Sequence, residues 1–388
     1  MTVDEWISKY DIAFSNDSAI DLYARADSAG GEQEHYYMAW YYSGVLSALR
    51  AKGRSSDLEV ALDIPLRVIA TATVLPSRTS WGSNTYLGWA ATKTGNENVY
   101  GQGLWESYFW RYVATMLRVT KDSNLLSLPN NSLAGSTYQD NWNTVYDFIL
   151  TNIWEKWFTY SPSDGFPVYR SRTHMGSHWA RIAIELYELT GLQEYLTLYN
   201  NYTYLGMPSN TPYPGDNLKN QLVDVGGAYN FNSTWDIGDP VFSQQDSSHA
   251  SDIISYFCEA YDLGQYWTIT DIQKLIKTLN DIVWTTTSPA SFNDMIDGSG
   301  VNSTSEAAFA DWYTLARYDA TLMSRMETAF PTATSPASKD MFVMGVAALS
   351  QAYQDNVVAV PATTSTEPPT ESPLSGLIRR VYRLLRRR

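Results

Sequence analysis

The sequence predicts an all-α fold, an (α/α) toroid or incomplete toroid of helical hairpins with long loops lining a groove. Three observations predict it. Apolar residues recur at helical spacing in segment after segment, convincing alternating strands are scarce, and the Gly/Asn/Ser/Pro loops between the helical runs are too long for mere connection.

In chain order the helical runs cover about 35–50, 57–73, 104–120, 142–158, 175–200, 249–263, 270–284, 305–328 and 338–355. Each carries apolar residues three and four apart, which gather on one face of a helix. The long loops are 74–103, 121–139, 205–248 and 285–303. Paired helices with long loops on one side suit hairpins set in a ring or arc, although no strong identity links the repeats; an ordinary α-solenoid used for protein binding is the structural competitor.

Composition bounds the rest. With 388 residues and 44 % hydrophobic content the chain can bury a large core, which excludes a disordered or fibrous protein. The single cysteine, Cys258, lies in the apolar run Ile253-Ile254-Ser255-Tyr256-Phe257 and reads as a small buried hydrophobe. Residues 1–356 form the expected folded body, 357–373 a Pro/Thr/Ser-rich linker and 374–388 an Arg-rich tail.

The formal charge of −14 conceals a split, because the tail holds six arginines and no acid; setting them aside leaves the remainder at −20. Such a body does not bind nucleic acid non-specifically. In the tail, Leu377, Ile378, Val381, Leu384 and Leu385 alternate with Arg379, Arg380, Arg383 and Arg386 at the spacing of a basic amphipathic helix. It is expected either to contact an acidic surface or a larger assembly, or to act as a solubilising end. No run approaches eighteen apolar residues, and Met1-Thr2-Val3-Asp4-Glu5-Trp6 has no signal-peptide pattern. Localisation stays open between extracellular and particle-associated settings.

The chemistry concentrates in a few places. The chain has four histidines, and two of them, His174 and His178, lie four apart at the start of an apolar helix, behind Tyr169, Arg170 and Arg172. His35 sits among aromatics in Glu34-His35-Tyr36-Tyr37, and His249 follows Gln245 and Asp246 before another helix. A lone histidine at a helix start is ordinarily structural; four in similar company predict one shared cleft. Imidazole, guanidinium and phenol together suit an anionic substrate and a proton transfer near neutral pH. Aromatics mixed with Asn, Gly and Ser, as in Trp81-Gly82-Ser83-Asn84-Thr85-Tyr86-Leu87-Gly88-Trp89, suit stacking on sugar rings or helix-helix contacts.

Several stretches carry a resemblance. They are Tyr86-Leu87-Gly88-Trp89, Tyr100-Gly101-Gln102-Gly103-Leu104-Trp105-Glu106, His174-Met175-Gly176-Ser177-His178-Trp179-Ala180, and Asp246-Ser247-Ser248-His249-Ala250. Together they resemble α/α-toroid polysaccharide lyases of the alginate-lyase type over roughly residues 30–330. The last element departs from the family, in which glycine usually follows the histidine. The resemblance implies β-elimination of a uronic-acid polysaccharide: one group neutralises the C5 carboxylate, a base takes the C5 proton and an acid protonates the leaving oxygen.

On that reading His178 or His174 is the base, Arg172 the carboxylate clamp, His249 a second neutraliser oriented by Asp246, and a tyrosine the acid, with Tyr169, Tyr100, Tyr202 and Tyr204 as candidates. Trp89, Tyr100, Gln102, Glu106, Gln245, Asp246 and His35 are expected to bind the acidic polysaccharide. The strongly acidic body then requires a locally positive groove, from Arg111, Arg170, Arg172 and Arg181.

Three alternatives stand beside it. A glycoside hydrolase on the same toroid would need two carboxylates, drawn from Glu106, Asp236, Asp246 and Asp294. A non-catalytic carbohydrate-binding or scaffold protein would keep the groove without the chemistry. His174 and His178 also have the spacing of two metal ligands, completed by Asp246 or His249, so the expectation of no cofactor leaves room for a divalent cation; Met175-Gly176-Ser177 lacks the glutamate of a zinc protease.

Overall fold

The computed structural model describes residues 1–16, 21–30, 33–130, 132–133, 135–159, 168–235, 244–288, 290–300, 306–331 and 339–359. Most of the linker, the whole Arg-rich tail and Asp236 lie outside them. The described chain is largely helical. Its α-helices are α1 Val3–Ser15, α2 Leu22–Asp27, α3 Gln33–Lys52, α4 Ser55–Ala70, α5 Gly103–Thr120, α6 Tyr138–Phe148, α7 Lys156–Phe158, α8 Thr173–Thr190, α9 Gln193–Asn200, α10 Leu218–Gln221, α11 Ser247–Asp262, α12 Ile269–Thr278, α13 Ala320–Ala329 and α14 Lys339–Gln354. A 3-10 segment, Glu306–Tyr318, precedes α13, and wider turns at Ile149–Glu155 join α6 to α7.

Local chemistry explains the boundaries. Thr2 with Glu5, Thr137 with Asp140 and Thr268 with Asp271 form capping boxes that satisfy the first amides of α1, α6 and α12. The Asp246 carboxylate accepts the His249 amide and so starts α11. The helical run expected over 175–200 is two helices, because Gly191 ends α8 in the left-handed region at φ 68°. The run over 305–328 is likewise divided, at Asp319, whose carboxylate caps α13. Helices α1 and α2 were not expected from the sequence, because their short apolar stripes lie ahead of the first clear helical run.

Short antiparallel hairpins decorate the helices. Strands β1 (Thr73–Val74) and β2 (Leu87–Gly88) pair Thr73 with Gly88; β3 (Val223–Val225) and β4 (Ala228–Asn230) pair Val223 with Asn230; β5 (Trp284–Thr286) and β6 (Ser291–Phe292) pair Trp284 with Phe292. All lie in or beside the long inter-helix loops.

Packing follows a regular succession. Helix α3 packs on α5, α5 on α8, α8 on α11, α11 on 306–318, that segment on α14, and α14 on α3. Helices α4, α9 and α13 lie against α3, α8 and 306–318 respectively. The core is rich in aromatics, with Trp6, Trp89, Trp110, Trp179, Trp235, Trp284 and Trp312 among its fully buried side chains.

Charge is buried as well. Arg50, Arg118 and Arg317 share Glu259, Arg118 also pairs with Glu185, and Arg317 reaches Asp262 at 2.7 Å. Removing either member of such a pair strands an uncompensated charge, so these contacts couple the helices that carry them. No helix among the described residues is long and apolar enough to cross a membrane.

Candidate functional site

Three of the four histidines converge where the N-terminal turns of α8 and α11 meet. Arg172, in extended conformation, is the residue before α8, and its backbone bridges to Thr234. The helical repeat then places His174 and His178 on one face, with ring centroids 6.1 Å apart. His249 lies in the first turn of α11 and stacks on His174 with centroids 4.3 Å apart and planes tilted by 33°.

The three rings run from surface to interior. The His249 side chain is 39 % exposed and its Nδ1 lies 2.8 Å from Asp246 Oδ2. His174 is 6 % exposed, and its Nδ1 has no hydrogen-bond partner. His178 is fully buried; Ser107 Oγ lies 3.3 Å from its Nδ1, and Asp252 Oδ2 makes a long contact of 3.4 Å to its Nε2.

Beneath them Asp252 organises the floor. It accepts from Tyr108 Oη at 2.6 Å and from Arg111 Nη2 at 2.7 Å. Tyr108 meets the His178 ring edge-on at 4.5 Å and packs on Tyr36 at 4.6 Å. Arg111 lies over both Tyr108 and Tyr112, and Tyr112 Oη donates to Asp311 at 2.5 Å.

These surroundings set different protonation states for neighbouring rings. Burial, assisted by the charge on His249, pushes His174 well below the ordinary histidine value. Burial and the Arg111 cation bring His178 down to about 4. Burial also opposes charge on His249, but the Asp246 carboxylate outweighs it and the ring is raised. Asp246 and Asp252 stay ionised: burial disfavours their charge, and it is overcome by His249 for the former and Arg111 for the latter. Burial and the Asp252 charge raise Tyr36 to about 12, keeping its phenol protonated.

Two arginines precede α8, and the charge of Arg172 is felt by His249. Arg172 is exposed and donates to Ser233 Oγ at 3.2 Å. Arg170 is half-buried, its Nε has no hydrogen-bond partner, and burial lowers its pKa. Neither guanidinium has a carboxylate within ion-pairing distance among the described residues.

The remaining candidate residues go elsewhere, which corrects the expectation of a single shared cleft for all four histidines. His35 is fully buried between Trp89, at 4.4 Å, and Phe109, with neither ring nitrogen hydrogen-bonded; burial and Lys156 lower it to about 3. Trp89 is a core residue whose Nε1 donates to Thr71. Glu106 is sealed inside, 2.7 Å from Lys156 Nζ and 2.6 Å from Trp157 Nε1. A fully buried side chain cannot stack on a sugar ring, so none of the three is a surface contact.

Tyr169 is mostly buried and accepts from Asn201. Tyr100 stands edge-on to Trp81 with Arg78 above it, and Gln102 donates to Asn96 O. Gln245 is buried beside Asp246, to which its amide donates. Sequence reasoning missed Tyr36, Ser107, Tyr108 and Asp252. The available signal was spacing: Asp252 lies three residues after His249 on the same helix, and Tyr36 directly follows His35. No group of His, Cys, Asp and Glu among the described residues is arranged to hold a metal ion.

The chain matches no known family model, and none of the curated proteins matches it. The likeness to toroid lyases therefore rests on its short motifs.

Proposed function

We propose that this protein is a polysaccharide lyase that cleaves a uronic-acid-containing, alginate-like polysaccharide by β-elimination, on an (α/α) toroid. The observation that carries the proposal is the stacked pair His174 and His249, whose surroundings favour opposite protonation states. Titratable neighbours driven apart in this way mark an acid/base assignment. The packing succession α3, α5, α8, α11, 306–318, α14 and back to α3 supports a ring of inner helices.

The roles follow from charge. Protonated His249, held by Asp246, and Arg172 neutralise the uronate carboxylate, which acidifies the C5 proton. Neutral His174 takes that proton, the electron pair forms the C4–C5 double bond, and the C4–O bond breaks. Tyr36, kept protonated, supplies the proton to the departing oxygen. His178 orients His174 from below, braced by Ser107 and Asp252. This assigns the base to His174 over the more deeply enclosed His178.

Arg172 answers the problem of a polyanion approaching an acidic body, because no carboxylate among the described residues pairs with it. A hydrolase is less well supported. It needs a carboxyl held protonated facing an ionised one, whereas Asp246 and Asp252 are both kept ionised and Glu106 is sealed. Asp311 is raised by burial but lies behind Arg111.

The test is ultraviolet absorbance of the unsaturated uronate product during incubation with a panel of uronic-acid polysaccharides, with His174→Ala in parallel. Absorbance growth that the variant loses is expected. New reducing ends without it would establish hydrolysis, and neither signal with retained sugar binding would establish the non-catalytic reading.

A further inference from the structure

A pocket of about 360 Å³, none of whose lining belongs to the histidine cluster, is formed by Leu150, Trp154, Glu155, Phe158, Glu194 and Tyr195, with two threonines. Its floor is aromatic. Trp154 stacks on Phe158 with planes 15° apart and centroids at 5.4 Å, and Tyr195 meets Trp154 edge-on at 4.9 Å. Phe158 is 44 % exposed, which is unusual in a chain that buries most of its large aromatics. Glu194, and Glu155, which also accepts from Asn84 Nδ2 at 3.4 Å, supply carboxylates to the lining.

An aromatic face flanked by carboxylates suits a guanidinium, which stacks flat on rings and is recognised bidentately by carboxylates. The volume is at the small end for ligand pockets, enough for one or two side chains rather than a whole segment. The chain carries its own source of such side chains: the Arg-rich segment 374–388, with six arginines, six aliphatic residues and no acid.

Reach and charge both permit the contact. The described chain ends at Ala359, whose amide is fixed to Arg50 O. The stretch from 359 to 374 spans up to ~50 Å when extended, at ~3.3 Å per residue, a distance comparable to a protein of this size. The tail's six positive charges face a remainder at −20.

We infer that the Arg-rich tail docks in cis on the pocket at Phe158, with an arginine stacked on the exposed Phe158 ring and paired to Glu194 or Glu155. Tethering raises the effective concentration to the millimolar range, so even weak contacts hold the tail.

The experiment is limited trypsin digestion of the full chain, following cleavage after Arg379, Arg380 and Arg383 by mass spectrometry. A free synthetic peptide of residues 374–388 serves as the reference. When docking is fast relative to cleavage, the rate tracks the undocked fraction. Cleavage at least about tenfold slower than in the peptide is expected, with the rate restored by Phe158→Ala and by Glu155→Lys/Glu194→Lys and independent of protein concentration. Circular dichroism shows that the variants remain folded; Glu194→Gln, a change at an exposed side chain, provides a milder second variant. Peptide-like cleavage of the full chain, or protection that these variants leave intact, would overturn the inference. Protection that grows with protein concentration would assign the tail to a second copy, and protection appearing only with anionic vesicles would assign it to a lipid surface; both overturn docking in cis.

Discussion

His174 and His249 touch, yet their surroundings drive one to the neutral form and the other to the cation. The pH dependence of activity follows from the signs. In the proposed mechanism the base is His174, which is depressed, so it is neutral at and above the ordinary histidine value of 6.5 and is lost only on the acid side. His249 is raised, so its positive charge persists through 6.5 and is lost on the alkaline side. A bell-shaped profile of kcat/KM is expected, with its acid limb below 6.5 and its alkaline limb above it. Asp246→Asn removes the carboxylate that raises His249 and is expected to move the alkaline limb to lower pH. An unmoved alkaline limb would separate His249 from the reaction. His174→Ala is expected to cost about 10²–10⁴-fold in kcat, the usual contribution of a positioned base.

At the scale of elements, the site depends on how α5, α8 and α11 are locked. Asp252 of α11 holds Arg111 of α5, and both are fully buried. Asp252→Ala leaves that guanidinium without its principal partner and is expected to cost about 3–5 kcal/mol, read as a lower urea midpoint. Its effect is global, unlike that of Asp246→Asn at the exposed rim. Helices α3 and α14 are locked by close approach instead. A Cβ on Gly44 would lie 2.9 Å from Met341 O, and one on Gly345 would collide with the Gly44 carbonyl. These neighbours are backbone and cannot swing aside, so Gly345→Ala is expected to destabilise by about 1–3 kcal/mol or more, measured by thermal or urea unfolding.

Across the whole molecule, buried neutral imidazoles shape acid stability. His35 at about 3 and His178 at about 4 sit below the unfolded value of 6.5. The unfolded chain therefore binds more protons, and stability is full above 6.5 and falls as pH drops through the window from 6.5 to about 4 for His178 and on to about 3 for His35. Each displaced unit is worth ~1.4 kcal/mol, so the loss amounts to several kcal/mol. Below that window Asp252 and Glu259, both held ionised, add to the loss as they protonate. Urea midpoints from pH 7 to 4 check this, and His35→Phe, which replaces a buried ring by a non-titrating one, is expected to flatten the slope. A flat profile in the parent chain would show that these rings are not buried neutral.

The sequence by itself determined the helical class and most helix positions, because the 3.6-residue apolar period and the capping residues are local. It also determined that His174 and His178 share a face, whereas the start of α11 at Asp246, three residues ahead of the expected run, came from the structure. Only the tertiary structure decided which distant groups meet. It stacked His249 on His174 across 75 residues, supplied Asp252, Tyr108 and Tyr36 beneath them, and sent His35, Trp89 and Glu106 into the core. The physical reason is that residue type reports what chemistry is available, whereas burial and partner set its state. Glu106 beside Lys156 is a structural ion pair, and His249 beside Asp246 is a charged ring at an opening; nothing in the local sequence separates the two cases.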